Sequence, residues 1–137
     1  MTVAISDAFA RSLLAAYDTS YAGGKVYLST GAAAGTGAAR AGTLLVTVDL
    51  PADPFAAPSG RGIAKQGTWS GVAVATGDAG HFRLVTAADT DVADQSEKRE
   101  EGTVGADGSG ADMELDQATV GIVLGQTVTV TTFARLF

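Results

Sequence analysis

The chain contains no cysteine. That excludes a disulfide framework and any thiolate metal site, so the fold must hold by packing alone. There is a single histidine, which with the missing thiols removes the usual pairings of a nucleophile with a base and the usual clusters of metal ligands. One tryptophan and three tyrosines are too few for the aromatic platform of a carbohydrate-binding module. Basic residues are outnumbered, nine against fifteen acids, giving a formal net charge of −6. A phosphate backbone demands the opposite sign, so nucleic acid is not an expected partner. No apolar run is long enough to cross a bilayer, and the N-terminus lacks the basic segment and apolar core of a signal peptide. The expectation is a protein made in the cytoplasm, with no membrane partner.

What is present points to β structure. The chain has 137 residues, of which 46% are hydrophobic and 18 are glycine. This suits one domain, residues 1–137, built from short elements joined by many turns. One segment reads as a helix, residues 6–18, with Ser6 as its cap and Asp7 in the first turn. Its apolar residues Ile5, Phe9, Leu13 and Tyr17, with Leu14 beside them, form a stripe. That stripe either packs on the domain's own sheet or docks on a neighbouring subunit.

Strands follow wherever apolar and polar residues alternate between Gly, Pro and Asp turns. Lys25 to Thr30 is the first and Thr43 to Leu50 the strongest, with Leu44, Val46, Val48 and Leu50 on one face and Leu45 out of step. Pro51, Pro54 and Pro58 interrupt regular structure, and Phe55 is the one side chain there large enough to pin the segment to a core. Residues 61–66 read as a short edge strand. Thr68 to Ala75 reads as a strand with Val72 and Val74 inward; a bulge at Gly71 then brings Trp69 round to the core, the favoured reading, and the alternative is an exposed Trp69 at a contact surface. Residues 77–80 read as a hairpin turn, after which Phe82 and Leu84 face in while His81, Arg83 and Val85 face out. His81 is therefore expected to be a surface imidazole. Met113 and Leu115 face in on a later strand, and Val128 and Val130 on the last.

Two stretches read as flexible loops. Residues 31–42 are almost all Gly, Ala and Thr, and their partial phosphate-loop patterns lack the required third glycine or the lysine. Residues 86–101 are rich in charge, with a possible helical turn over 95–100 and acids that keep a surface wet. Asp107, Asp112, Glu114 and Asp116 lie among glycines in a way that invites calcium. The apolar position of the β-roll repeat is occupied by Glu114, however, and the EF-hand spacing is absent. No metal, cofactor or catalytic residue is expected, and the chain does not read as an enzyme.

The last strand ends on Leu136 and Phe137. Large apolar residues there either fold back or bury against a neighbour. Together with Phe9 and Leu13 they are the candidate assembly contacts. Seven or eight short strands after one helix suggest a mainly β fold, an antiparallel β-sandwich of jelly-roll type.

Several segments in order also resemble a set of small proteins encoded among the structural genes of tailed bacteriophages and prophages. They are the N-terminal helix, Gly23-Gly24 before the first strand, the Thr43 to Pro51 strand and Gly67-Thr68-Trp69. The resemblance continues through Gly80-His81-Phe82-Arg83-Leu84, the run from Gly102 to Asp116, and Gly125 to Val130. The related proteins often carry an aromatic residue where this chain has His81. The resemblance implies a virion component. The most concrete expectation is a capsid decoration or cement protein, homo-oligomeric in the particle and bound to the major capsid protein or other virion proteins. A neck, tail or fibre-base component present in few copies is the alternative.

Overall fold

The computed structural model describes residues 3–137. Ser6 caps the helix as expected, its hydroxyl accepting from the Phe9 amide at 3.2 Å, and α1 runs Asp7–Tyr21. Ten strands follow: β1 (Lys25–Ser29), β2 (Leu44–Asp49), β3 (Gly62–Ala64), β4 (Trp69–Val72), β5 (Gly77–Asp78), β6 (His81–Val85), β7 (Arg99–Gly105), β8 (Met113–Leu115), β9 (Gly121–Ile122) and β10 (Thr127–Leu136). The protein is mainly β with one N-terminal helix.

The strand order is β3-β10-β4-β2-β1-β6-β7-β8, and β8 pairs back onto β10. The expected two-sheet jelly roll is therefore replaced by one sheet that closes into a barrel-like ring. Strand β10 makes the closure possible because it is long. Its first part pairs with β4, its middle with β8 and its end with β3. The register shifts between Val130 and Thr132, and that irregularity turns Phe133 into the core behind Val128 and Val130. Ring closure satisfies the backbone groups that open strands would otherwise present. The pairing is not wholly antiparallel, since β7 and β8 run parallel over Val104↔Met113 and Gly105↔Glu114.

The core is aromatic at its centre. Trp69 is fully buried, its ring centroid 5.4 Å from Phe55 and 5.9 Å from Phe133, while its indole N–H donates to the Gln66 carbonyl at 3.1 Å. Phe55 pins the proline segment as expected. No bulge at Gly71 is needed, because β4 pairs regularly with β10 from Trp69 to Val72. With Trp69 inward, Val72 and Val74 point to solvent, 58% and 60% exposed, contrary to the alternation read from the sequence. Gly71 has a different role: a Cβ there would lie 2.2 Å from the Thr47 carbonyl oxygen, so only glycine allows this approach of β4 to β2.

The helix packs on its own barrel. Ala10, Leu14 and Tyr21 are buried, Tyr17 stacks edge-on against Phe55 at 5.7 Å, and the Asp18 carboxylate accepts from the Phe55 amide at 3.1 Å. The stripe is rotated from the one expected, and Phe9 and Leu13 face outward.

The largest correction concerns the outer face of β6. All five of its residues are buried, His81, Arg83 and Val85 included. Segments 31–42 and 86–98 fold over this face and are tied to it and to each other, so they are not independent solvated loops. Arg99 donates twice to the Asp89 carboxylate at 2.6 and 2.7 Å, to the Val92 carbonyl at 2.7 Å and to the Thr36 carbonyl at 3.1 Å. Arg83 reaches Asp91, Glu101 and the Gly35 carbonyl, and Arg40 pairs with Asp91 at 2.7 Å. No helical turn forms over 95–100, and Arg99 instead opens β7. The hairpin expected at 77–80 is likewise absent. Gly77 and Asp78 form β5, which pairs with β9 as a small second sheet and lies against Leu45, buried on the face of β2 where the sequence alternation breaks.

Candidate assembly surfaces

Among the described residues, Val3, Leu13 and Val92 are exposed singly, and the other large apolar side chains left exposed include two groups at opposite ends of β10. The first is at its C-terminal end. Arg61 gathers this region: its guanidinium donates to the Phe137 carbonyl at 2.6 Å, the Ile5 carbonyl at 2.9 Å and the Asp7 carboxylate at 3.0 Å. The Phe137 amide returns a bond to the Arg61 carbonyl at 2.8 Å. The terminal residues are thus held by strand pairing while their side chains stay out, Leu136 at 78% and Phe137 at 50% exposed. Phe9 follows Asp7 on the first turns of α1 and is also exposed. Leu136 borders an open groove of about 330 Å³ with Ala56, Ala57, Ile63, Ala64 and Ala134. Leu13 is separate, lining a cleft with Tyr17, Tyr21 and Glu97 to Arg99. Of the four candidate contacts, Leu136 and Phe137 sit together at this end, Phe9 lies on the helix two residues beyond Asp7, and Leu13 lines a separate cleft.

The second surface was not among the expected contacts. Val72, Val74, Val123 and Leu124 are all more than half exposed. Backbone bonds bring them together: Ala73 donates to Gln126 at 2.8 Å, Gly125 to Ala73 at 2.9 Å, and Gln126 closes a turn on Val123 at 2.9 Å. Leu124 is further fixed by its amide bond to the Thr76 hydroxyl at 3.0 Å. An available signal was parity. If Trp69 faces the core without a bulge, Val72 must face away.

Two acids of the suspected calcium segment, Asp112 and Glu114, bind backbone amides. The Glu114 carboxylate accepts from the Gly110 and Gly108 amides at 2.7 and 3.3 Å, and Asp112 accepts from the Thr103 amide and hydroxyl, both at 2.9 Å. These bonds hold the Asp112 carboxyl below its ordinary range. Among the described residues, no three His, Cys, Asp or Glu side chains converge as a metal site. Among the same residues no helix is long and apolar enough to cross a membrane.

Between α1 and the barrel, Glu100 forms an ion pair with Arg135, Oε1 to Nε 2.6 Å, and Arg135 Nε donates to the Tyr17 hydroxyl at 3.2 Å. Burial pushes the Glu100 carboxyl above its usual value, with Arg135 opposing the shift. One Glu100 oxygen has no partner.

No family model matches the chain, and no curated protein or solved structure matches it.

Proposed function

We propose that this chain is a structural protein of a tailed-phage particle, made in the bacterial cytoplasm and incorporated into the virion as a capsid decoration or cement protein. The observation that carries the reading is the placement of two exposed apolar surfaces at opposite ends of one long strand. Nine residue steps separate Thr127 from Leu136 on β10, which at strand rise is roughly 30 Å. A barrel closed by that strand keeps the two surfaces at a fixed distance. A rigid body with two apolar ends suits a bridge between neighbouring copies of a lattice, with the major capsid protein or other virion proteins as partners. The jelly-roll sandwich expected for such proteins is not required by this reading, since a closed ring presents the two ends equally well.

The mechanism is linkage. A bridge that binds the assembled lattice more tightly than free subunits stabilises the shell by that difference. Net negative charge keeps the free protein soluble before assembly and directs it to protein rather than to the packaged nucleic acid.

The test is the copy number of the protein in purified particles, by quantitative mass spectrometry against the major capsid protein. A ratio near that of the lattice supports decoration. A few copies per particle moves the protein to the neck, tail or fibre base, and its absence from particles refutes the virion reading.

A further inference from the structure

The two ends of β10 differ in charge. At the N-terminal end Val72, Val74, Thr76 and Asp78 are exposed while Ala73 and Ala79 are buried, so alternation sets the four exposed side chains in one outward row. Strand β9 lies beside the row through Gly77↔Ile122 and Asp78↔Gly121 and runs on into Val123 and Leu124, both exposed. The apolar row thus ends on a carboxylate. A second acid, Asp116, stands on the other side of β10, where its amide donates to the Thr129 carbonyl at 2.8 Å. Asp78 and Asp116 are exposed, and among the described residues neither forms an ion pair. No lysine or arginine occurs between Lys65 and Arg83 or between Arg99 and Arg135, so β4, β5, β8, β9 and β10 before Arg135 carry no positive charge. On the neighbouring β2, Asp49 already holds Lys25 at 2.8 Å. The complement of this end is therefore an apolar surface that brings its own cations.

The C-terminal end of β10 has that character. Its open groove of about 330 Å³ is walled by Ala56, Ala57, Ile63, Ala64, Ala134 and Leu136, mostly short side chains. Among the described residues three cations have no ion pair, Arg11, Lys65 and Lys98. Two of them belong to this end. Arg11 reaches the Gly60 carbonyl at 3.5 Å, and the Lys65 amide donates to the Phe133 carbonyl at 2.9 Å. Of the acids nearby, Asp7 is taken up by Arg61 at 3.0 Å, Glu100 by Arg135 at 2.6 Å and Asp18 by the Phe55 amide at 3.1 Å. Asp53, on an adjoining cleft, is the one left over.

We propose that the two ends bind each other between copies of this chain. The row of Val72 and Val74, with Val123 and Leu124, seats on the Leu136 groove of the next copy, and Asp78 and Asp116 are drawn to its Arg11 and Lys65. Because the two surfaces differ, the contact is heterologous, and its repetition builds a ring or an open chain of copies. This partner assignment rests on the reading of the two ends as contact surfaces and names a second copy as what they contact.

Sedimentation velocity of the purified chain from about 10 µM to about 1 mM tests it without particles, so its failure and absence from the virion are separate results. The unaltered chain should form dimers and larger species as concentration rises, and fewer of them at about 0.5 M sodium chloride. Val72→Thr/Leu124→Ser keeps only the groove and Leu136→Ser/Phe137→Ser keeps only the row. Each should stay monomeric alone, while an equal mixture should give a dimer and nothing larger. Asp78→Lys/Asp116→Lys alters two exposed acids that hold no ion pair and should weaken association by about tenfold or more. An unaltered chain that stays monomeric throughout overturns the proposal and leaves both ends to other proteins. Either apolar variant associating alone as strongly as the unaltered chain also overturns it, since one end then pairs with itself. A mixture that stays monomeric refutes the head-to-tail contact, and unchanged affinity in Asp78→Lys/Asp116→Lys refutes the charge match that selects a second copy.

Discussion

Replacing Arg99 by alanine should be among the most damaging single changes available in this protein, although the sequence places Arg99 in a charged surface loop. Its side chain and that of Asp89 are both fully buried, and the pair joins segment 31–42 to segment 86–98. Removing the arginine leaves a buried carboxylate without its cation, a situation that costs about 3–5 kcal/mol. It also strips donors from the Thr36 and Val92 carbonyls. For 137 residues the unfolding entropy scale converts that loss to a fall in Tm of roughly 10–17 °C. Urea and thermal denaturation measure it, and the double variant Asp89→Ala/Arg99→Ala provides the internal check. With both charges gone, no ion is left stranded, so the double variant should be more stable than Arg99→Ala alone. The pH dependence gives a second signature. Hydrogen bonds from Arg99 hold the Asp89 carboxyl below its ordinary range, so this contribution is present above the usual carboxylate value and is lost as pH falls through the lowered one. In Arg99→Ala that acid limb should shrink. A loss below about 1 kcal/mol at neutral pH, the worth of an exposed pair, would refute the claim that this cross-link holds the two segments over β6.

Gly71→Ala should destabilise the fold by at least about 2 kcal/mol, read from urea midpoints, because its Cβ would meet the Thr47 carbonyl at 2.2 Å. A neutral result would mean that β4 and β2 are less closely apposed. Glu100→Gln should flatten the decline in stability from the ordinary carboxylate range toward neutrality. A carboxyl whose folded value is raised contributes stability below its unfolded value and loses it as pH rises through the folded one. Val72→Thr with Leu124→Ser should change monomer stability by no more than about 0.5 kcal/mol per site and reduce incorporation into particles, scored by mass spectrometry. Leu136→Ser with Phe137→Ser should do the same at the other end of β10, and assembly equal to that of the unaltered chain would remove that end from the contact surface.

What the sequence reveals of this fold depends on whether burial has one cause or two. Strands with one covered face announce themselves by alternation, and Met113, Leu115, Val128 and Val130 are buried as their spacing indicates. The helix cap at Ser6 and the anchoring of Phe55 were legible for a similar reason, since each rests on local chemistry. Alternation fails at β6 because both faces are covered, the inner by the core and the outer by segments that bury polar groups rather than apolar ones. Arginine and aspartate read as solvated wherever they stand in a sequence, and only the pairing of Arg99 with Asp89 and of Arg83 with Asp91 and Glu101 shows that their charges are spent inside. The same limit applies to surfaces. Phe9, Leu13, Leu136 and Phe137 stand out as large apolar residues near a helix start or a strand end, whereas Val72 and Val74 look like core. A strand register read one residue out of phase exchanges its two faces, and the inward position of Trp69 decides the phase here. Whether a β10 neighbour's apolar residue holds the barrel or marks one of its ends is therefore set by pairing across β10 rather than by composition.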